Sequence, residues 1–192
     1  MVGKLTLSAY AVLGLLARHG PMTSYDLKAR VEESIGFFWP IPHAQLYRDP
    51  ARLTELGLLT EEAEEGGRRR KLFHLTAEGH EALDDWITDP DVPPAETRDP
   101  AQLKLFFADL LAPAATTGLA AAQAARHQHL LSTYQERLAQ LDPEDPASRA
   151  RARLLTFGMR HEEAHFEFWQ AITADPNTPP QAHEGHGVQT GR

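Results

Sequence analysis

The sequence predicts a mainly α-helical protein in two parts, four helices interrupted by one short β-hairpin and then a second unit built only of helices. Three observations predict it. Apolar residues recur at three- and four-residue spacing through most of the 192 positions. Gly66-Gly67 stands between two short strand-like segments, which is a hairpin signal. The stretch Asp89-Pro90-Asp91-Val92-Pro93-Pro94 reads as a linker between the parts.

Residues 5–19 read as a first helix, with Leu7, Ala11 and Leu15, and Val12 and Leu16, at four-residue spacing, stopped by Gly20-Pro21. Thr23-Ser24-Tyr25-Asp26 has the form of a capping box with Asp in the acceptor position. It opens a second helix with Leu27, Val31 and Ile35 on one face, ended by Gly36. Phe37 to Pro42 holds two prolines, each of which drives the residue before it out of the α region. A third helix spans roughly 43–56, with Leu46, Pro50 and Leu53 on one side and Gln45, Arg48 and Arg52 on another. Leu56 falls off the apolar stripe, and Pro50 is expected to remove a hydrogen bond and bend the axis.

The hairpin pairs an acidic segment from Thr60 with Lys71–Thr76, and Arg68, Arg69 and Arg70 lie beside its turn. Thr76 caps a fourth helix, 77–88, predicted to face Leu83, Trp86 and Ile87 inward. Beyond the linker, Leu103, Phe106, Phe107, Leu110 and Leu111 form an i, i+3, i+4, i+7, i+8 stripe, broken by Pro113 and Gly118. An alanine-rich helix follows from about 118 to 141, aligning Leu130, Leu131, Tyr134, Leu138 and Leu141. Pro143 and Pro146 interrupt, and a last helix runs from about 147 to 173. The Pro-, Gly- and His-containing tail reads as disordered. The predicted organisation is therefore 1–90, a linker at 91–98, a helical region at 99–173 and a tail at 174–192.

Composition narrows the function classes. With no cysteine, a disulfide scaffold, a thiolate zinc site, an Fe–S cluster and a cysteine nucleophile are excluded together. No apolar run approaches the length of a membrane span and no signal peptide is evident, which fits a cytoplasmic protein. The net charge of −8 argues mildly against nucleic acid. Dividing the chain does not change this: residues 1–90 carry 10 Lys/Arg against 14 Asp/Glu and residues 91–192 carry 9 against 13, so each half is −4. DNA binding has to rest on where individual cations are placed.

The order helix, helix, helix, hairpin, helix is that of a winged helix-turn-helix, and at this point the chain resembles the PadR family of bacterial transcriptional regulators. The residues that carry the likeness are Leu13-Gly14-Leu15-Leu16, Ser24-Tyr25-Asp26-Leu27, Gln45-Leu46-Tyr47-Arg48, Arg52-Leu53 with Leu56-Gly57-Leu58-Leu59, and Lys71 with His74-Leu75-Thr76 and Gly79. In the second half they are Arg98-Asp99-Pro100, Leu103 to Asp109, Phe157-Gly158 and Trp169. The likeness covers roughly residues 5–172. It departs at Pro50, where the family has an aliphatic residue, and in the acidic first strand of the wing.

The resemblance implies a homodimeric regulator without enzymatic activity or cofactor, a repressor that binds an inverted-repeat operator in double-stranded DNA through residues 1–90, dimerises through 99–173 and is released by a small effector. The recognition face holds Gln45, Arg48 and Arg52, since Arg grips guanine O6/N7 and Gln pairs with adenine N6/N7. His43 starts that helix, at the end that enters the groove. Tyr47 offers a hydroxyl to phosphate. Arg68, Arg69, Arg70 and Lys71 suit the minor groove or backbone, and Thr23, Ser24 and Tyr25 at a helix N-terminus suit a phosphate. Against this stand two plainer readings, a solvated Arg48-Asp49-Arg52 face and cross-strand ion pairs between the wing cations and Glu61, Glu62, Glu64 and Glu65. The implied effector is aromatic or hydrophobic and bound between the winged helices and the dimer helices. Phe37, Phe38, Trp39, Trp86 and Trp169 are candidate walls, or ordinary core.

Two rival readings remain. One is a dimeric small-molecule-binding or interaction module without DNA affinity. The other is a zinc-dependent hydrolase, because His161-Glu162-Glu163-Ala164-His165 matches H-E-x-x-H, with Glu184 as a third ligand 18 intervening residues on. Thr178-Pro179-Pro180 and Gly185 are incompatible with the helix that would carry Glu184. On the wheel of the last helix, Glu162 falls inside the apolar arc with His165, His161 lies at its edge, and His127 on the preceding helix shares a face with Leu130 and Tyr134. A buried carboxylate needs a partner. The cluster is read as a structural network or as a regulatory metal or pH-sensitive site.

Overall fold

The structure is a computed structural model and describes residues 5–63, 70–96, 98–110 and 112–176. It divides into two units, residues 1–94 and 95–192.

The first unit is a winged helix. Helix α1 (Leu7–His19) starts at Thr6, whose Oγ1 accepts from the Ala9 N–H at 3.2 Å. Val12, Leu13, Leu15 and Leu16 put its inner face at the centre of the core. Strand β1 (Met22–Thr23) leads directly into α2 (Ser24–Glu33). The capping box forms as the sequence predicts: the Asp26 N–H donates to Thr23 Oγ1 at 3.3 Å and the Thr23 N–H donates to Asp26 Oδ2 at 3.0 Å. Leu27 and Val31 are buried, and the helix ends at Glu33, so Ile35 and Gly36 lie in a following turn.

Helix α3 (His43–Glu55) runs unbroken through Pro50. Pro50 is fully buried beside Leu46 and Leu53, and its carbonyl accepts from Thr54 Oγ1 at 2.9 Å. The helix closes in a Schellman turn: the Leu58 N–H bonds to the Leu53 carbonyl and the Gly57 N–H to that of Thr54, with Gly57 at φ 74°. Buried Leu53 and Leu58 supply the hydrophobic contact that accompanies this motif.

Strands β2 (Leu59–Ala63) and β3 (Lys71–Leu75) pair antiparallel in the register Leu59 with Leu75 and Glu61 with Phe73. β1 adds to the other edge of β3, giving the order β1-β3-β2. This third strand was not expected from sequence, because two residues carry no alternation. Thr76 caps α4 (Ala77–Thr88) by accepting from the Gly79 N–H. Leu83 is buried as predicted, but Ile87 is 64% and Trp86 41% exposed, which corrects the inward assignment of both. Trp86 stacks on Tyr10 of α1 with ring centroids 4.7 Å apart.

The second unit opens at Asp99, which caps α5 (Pro100–Phe106). The apolar stripe beginning at Leu103 does not continue as one helix. It turns at Phe107 into a single 3-10 turn at Ala108–Leu110, and Leu103, Phe106, Phe107 and Leu110 are all exposed. Helix α6 (Pro113–Ala139) begins earlier than expected, because Pro113 occupies its first position, where no donor is required, and Gly118 is carried inside. Helix α7 (Pro146–Ala174) returns beside it from Asp145, whose carboxylate accepts from Ser148 N–H and Oγ. Small residues on α6, Ala120 and Ala124, make room for Trp169 and Ile172 of α7. Ala174 is still helical, one residue into the predicted tail, and residues 177–192 lie outside the described residues.

Candidate nucleic-acid interface

The amphipathic division of α3 sets the candidate interface. Leu46, Asp49, Pro50 and Leu53 point into the core, which leaves His43, Tyr47, Arg48 and Arg52 exposed along the opposite side and Gln45 half-buried between them. The side chains proposed to read bases are therefore displayed by the burial of their neighbours. The plainer reading of a solvated Arg48-Asp49-Arg52 run is corrected at Asp49, which turns inward; its Oδ2 is buried and has no hydrogen-bond partner among the described residues. His43 lies 3.8 Å from Glu32, which also approaches Lys28 at 3.7 Å.

At the start of α2 the Thr23 hydroxyl is turned into its own helix, donating to Asp26 Oδ2 at 2.8 Å, and Thr23 is buried. Its backbone N–H, the group the sequence reading offered to phosphate, donates to the same carboxylate at 3.0 Å. Ser24 is half-buried and Tyr25 is 66% exposed, and they occupy the first two helical positions, where backbone N–H groups have no intrahelical acceptor.

In the wing, Lys71 Nζ lies 2.9 Å from Glu61 Oε2, so one of the cross-strand pairs read from the sequence is formed. Both side chains are substantially exposed, and such a pair contributes about 0–1 kcal/mol. His74 Nε2 stands 3.3 Å from Glu62. Arg70 is exposed, while Arg68, Arg69, Glu64 and Glu65 lie outside the described residues.

The aromatic candidates separate. Phe38 and Trp39 are 43% and 42% exposed on the loop between α2 and α3, where Phe37 and Phe38 meet edge to face. Trp169 is wholly buried in the helical unit against Phe168, in keeping with the ordinary-core alternative read from the sequence.

The H-E-x-x-H reading fails on geometry. Glu162 accepts no metal position but pairs with His127, Nδ1 to Oε2 at 2.6 Å. The rings of His127 and His165 stack at 4.7 Å and those of His165 and His161 lie at 4.4 Å. Among the described residues no group of three or more His, Asp or Glu side chains is arranged to hold a metal ion. Glu184 lies outside the described residues. No helix among the described residues is long and apolar enough to cross a membrane.

Comparison with known proteins joins both units. A family model for the transcriptional regulator PadR-like family matches residues 12–85, and one for the virulence activator alpha C-terminal region matches residues 97–174. The negative transcriptional regulator PadR of Bacillus subtilis is 28% identical over 173 residues, spanning 86% of this chain and 94% of the relative. Its crystal structure in complex with operator DNA aligns at a TM-score of 0.78 and 27% identity, over 88% of this chain and 98% of that one. The same protein in complex with p-coumaric acid aligns at 0.74 and 26%, over 89% and 96%. The Vibrio cholerae virulence activator AphA, 24% identical, shares the fold at 0.69 over 88% and 97%. These matched relatives are regulators and not enzymes. With a winged helix in the first unit and paired long helices in the second, the two units are matched in order, the first by the PadR-like family of transcriptional regulators and the second by the virulence activator alpha C-terminal region.

Proposed function

We propose that this regulator is a cytoplasmic repressor that binds an inverted-repeat operator as a homodimer and is released by a small effector. The observation that carries the reading is the exposed α3 face, with Tyr47, Arg48 and Arg52 held outward by a buried Leu46-Pro50-Leu53 side. Arg48 and Arg52 read base edges, with Gln45 beside them; Tyr47, His43 and the N-terminus of α2 at Ser24 and Tyr25 position the phosphates. Arg68, Arg69, Arg70 and Lys71 extend the contact through the wing, with Lys71 exchanging Glu61 for the DNA backbone.

One relative described above supports the partners: Bacillus subtilis PadR was solved both on operator DNA and with p-coumaric acid. An aromatic acid of that kind is the effector class we propose here, with Phe38, Trp39 and Trp86 as candidate contacts. Dimerisation through residues 99–173 is favoured by the exposed stripe at Leu103, Phe106, Phe107 and Leu110, which no packing within the described residues covers. Four large apolar side chains in eight positions form the kind of contiguous patch that marks an interface.

The test is fluorescence anisotropy on DNA from the protein's own upstream region. Tight, salt-dependent binding that Arg48→Ala weakens supports the reading. Equal, weak affinity for that region and for random DNA rejects it and favours an interaction module without DNA affinity.

A further inference from the structure

The proposed DNA contacts leave one cluster of titratable groups unused. Where α6 and α7 lie side by side, His127 and Glu162 are both buried and joined at 2.6 Å. From that pair a file of imidazoles leads outward: His127 buried, His165 half-buried and stacked on it at 4.7 Å, and His161 exposed at 4.4 Å from His165. The other charged or titratable groups facing the cluster are Asp99, at the cap of α5, and Tyr134 on α6, with Arg137 beyond Tyr134. The buried carboxylate Glu162 is thus bonded to the innermost of three imidazoles.

We propose that this file is an acid-sensitive clasp between α6 and α7, closed by the His127–Glu162 pair near neutral pH and forced apart when further protons enter the file. The 2.6 Å hydrogen bond between His127 and Glu162 offsets the burial of both groups. A proton on His165 places a positive charge against the His127 and His161 rings, opposed among the described residues by Glu162 and Asp99. Burial, and then His161 and His127, hold the His165 imidazole below its ordinary value, against the weaker pull of Glu162 and Asp99. The sign follows. The unfolded chain accepts the His165 proton more readily than the folded one, so the stability contributed is present above the ordinary imidazole range and is lost as pH falls through it.

The clasp does not depend on DNA binding. Its regulatory consequence does rest on the dimer proposed above: loosening α6 against α7 would weaken the dimer and its hold on the operator in mildly acidic solution. The experiment follows the histidine ring signals of the full-length protein by NMR and its urea unfolding midpoint, both from pH 8 to pH 5.5. His165→Gln removes the middle proton site of the file, and His129→Gln, at an exposed position on α6, is the control. The expected result is a His165 ring that titrates below the ordinary imidazole value, a midpoint that falls with acid, and a fall reduced at least twofold in His165→Gln but retained in His129→Gln. An ordinary or raised His165 titration overturns the proposal, as does a fall of equal size in His165→Gln. If His165→Gln does not fold, the wild-type titration decides alone. Operator binding measured at both pH values separates the two readings: none at either pH rejects the regulator function, while the ring titration still judges the clasp.

Discussion

Gly79→Ala and Gly118→Ala are predicted to change stability in opposite directions, although both exchange a helical glycine for the best helix former. In α4, a Cβ on Gly79 would overlap the carbonyl oxygen of Leu58 and press on Leu75. Leu75 has a side chain that yields; the Leu58 carbonyl is fixed, since it already accepts from the Thr76 N–H at 3.1 Å. Beside it the Gly57 carbonyl accepts from Thr76 Oγ1 at 2.9 Å. Relieving the overlap means moving α4 off the turn and weakening both bonds, each contributing about 1 kcal/mol, with about 1–3 kcal/mol of strain besides. The gain in helix propensity is about 1 kcal/mol, so the net effect is a loss of about 2 kcal/mol. At Gly118, on α6, nothing lies within 4 Å of the added methyl, and only the gain of up to about 1 kcal/mol remains. Equilibrium urea unfolding of the two variants measures both. A Gly79→Ala protein as stable as wild type would refute the argument that backbone contact, and not propensity, fixes that position.

Arg48→Ala should cost about 1–3 kcal/mol of operator binding and relax base preference at one position of each half-site, read by anisotropy against single-base operator variants. Lys71→Ala should leave stability within about 1 kcal/mol of wild type, because its partner Glu61 is exposed with it, while weakening all DNA sequences alike and flattening the salt dependence. Thr23→Ala removes the cap of α2 and should lower stability by about 1 kcal/mol, seen in the urea midpoint. Phe106→Glu with Leu110→Glu should convert a dimer to monomer in light scattering at micromolar concentration; an unchanged mass would remove this stripe from the proposed interface.

Much of the fold was legible because local signals and burial agreed. The Thr23–Asp26 box, the Thr76 cap and the leucines of α1 each predicted the structure that formed. The failures lie where a local rule met tertiary context. Pro50, read as a site of bending, sits within an α3 that continues past it and is wholly enclosed by the core. Trp86 and Ile87 sit at inward spacing on α4, but Trp86 instead lies partly exposed on Tyr10. Pro113 looked like a breaker and is a helix start, because the same missing N–H is harmless in the first turn. The stripe at Leu103 promised a long helix to bury it, and the chain turned after Phe106.

The site was legible to a different degree. Helical spacing alone separated the exposed Arg48 and Arg52 from the buried Leu46 and Leu53, but it could not show Thr23 spending its hydroxyl on Asp26, or Asp49 turning inward. Nor does the net charge of −8 decide against DNA. Screening confines the influence of an exposed charge to about 8 Å at physiological ionic strength. The α3 face displays Arg48 and Arg52, with Glu32 3.8 Å from His43 at its start, while part of the acidic excess is carried by α4 at Glu78, Glu81, Asp84 and Asp85. Glu61 is set in the wing itself and tied to Lys71. Replacing Glu61 with Gln frees that cation and removes a like charge from the phosphates, so it should tighten binding to every sequence and steepen the salt dependence. Unchanged affinity in Glu61→Gln would place the wing away from the DNA backbone and leave α3 to carry recognition alone.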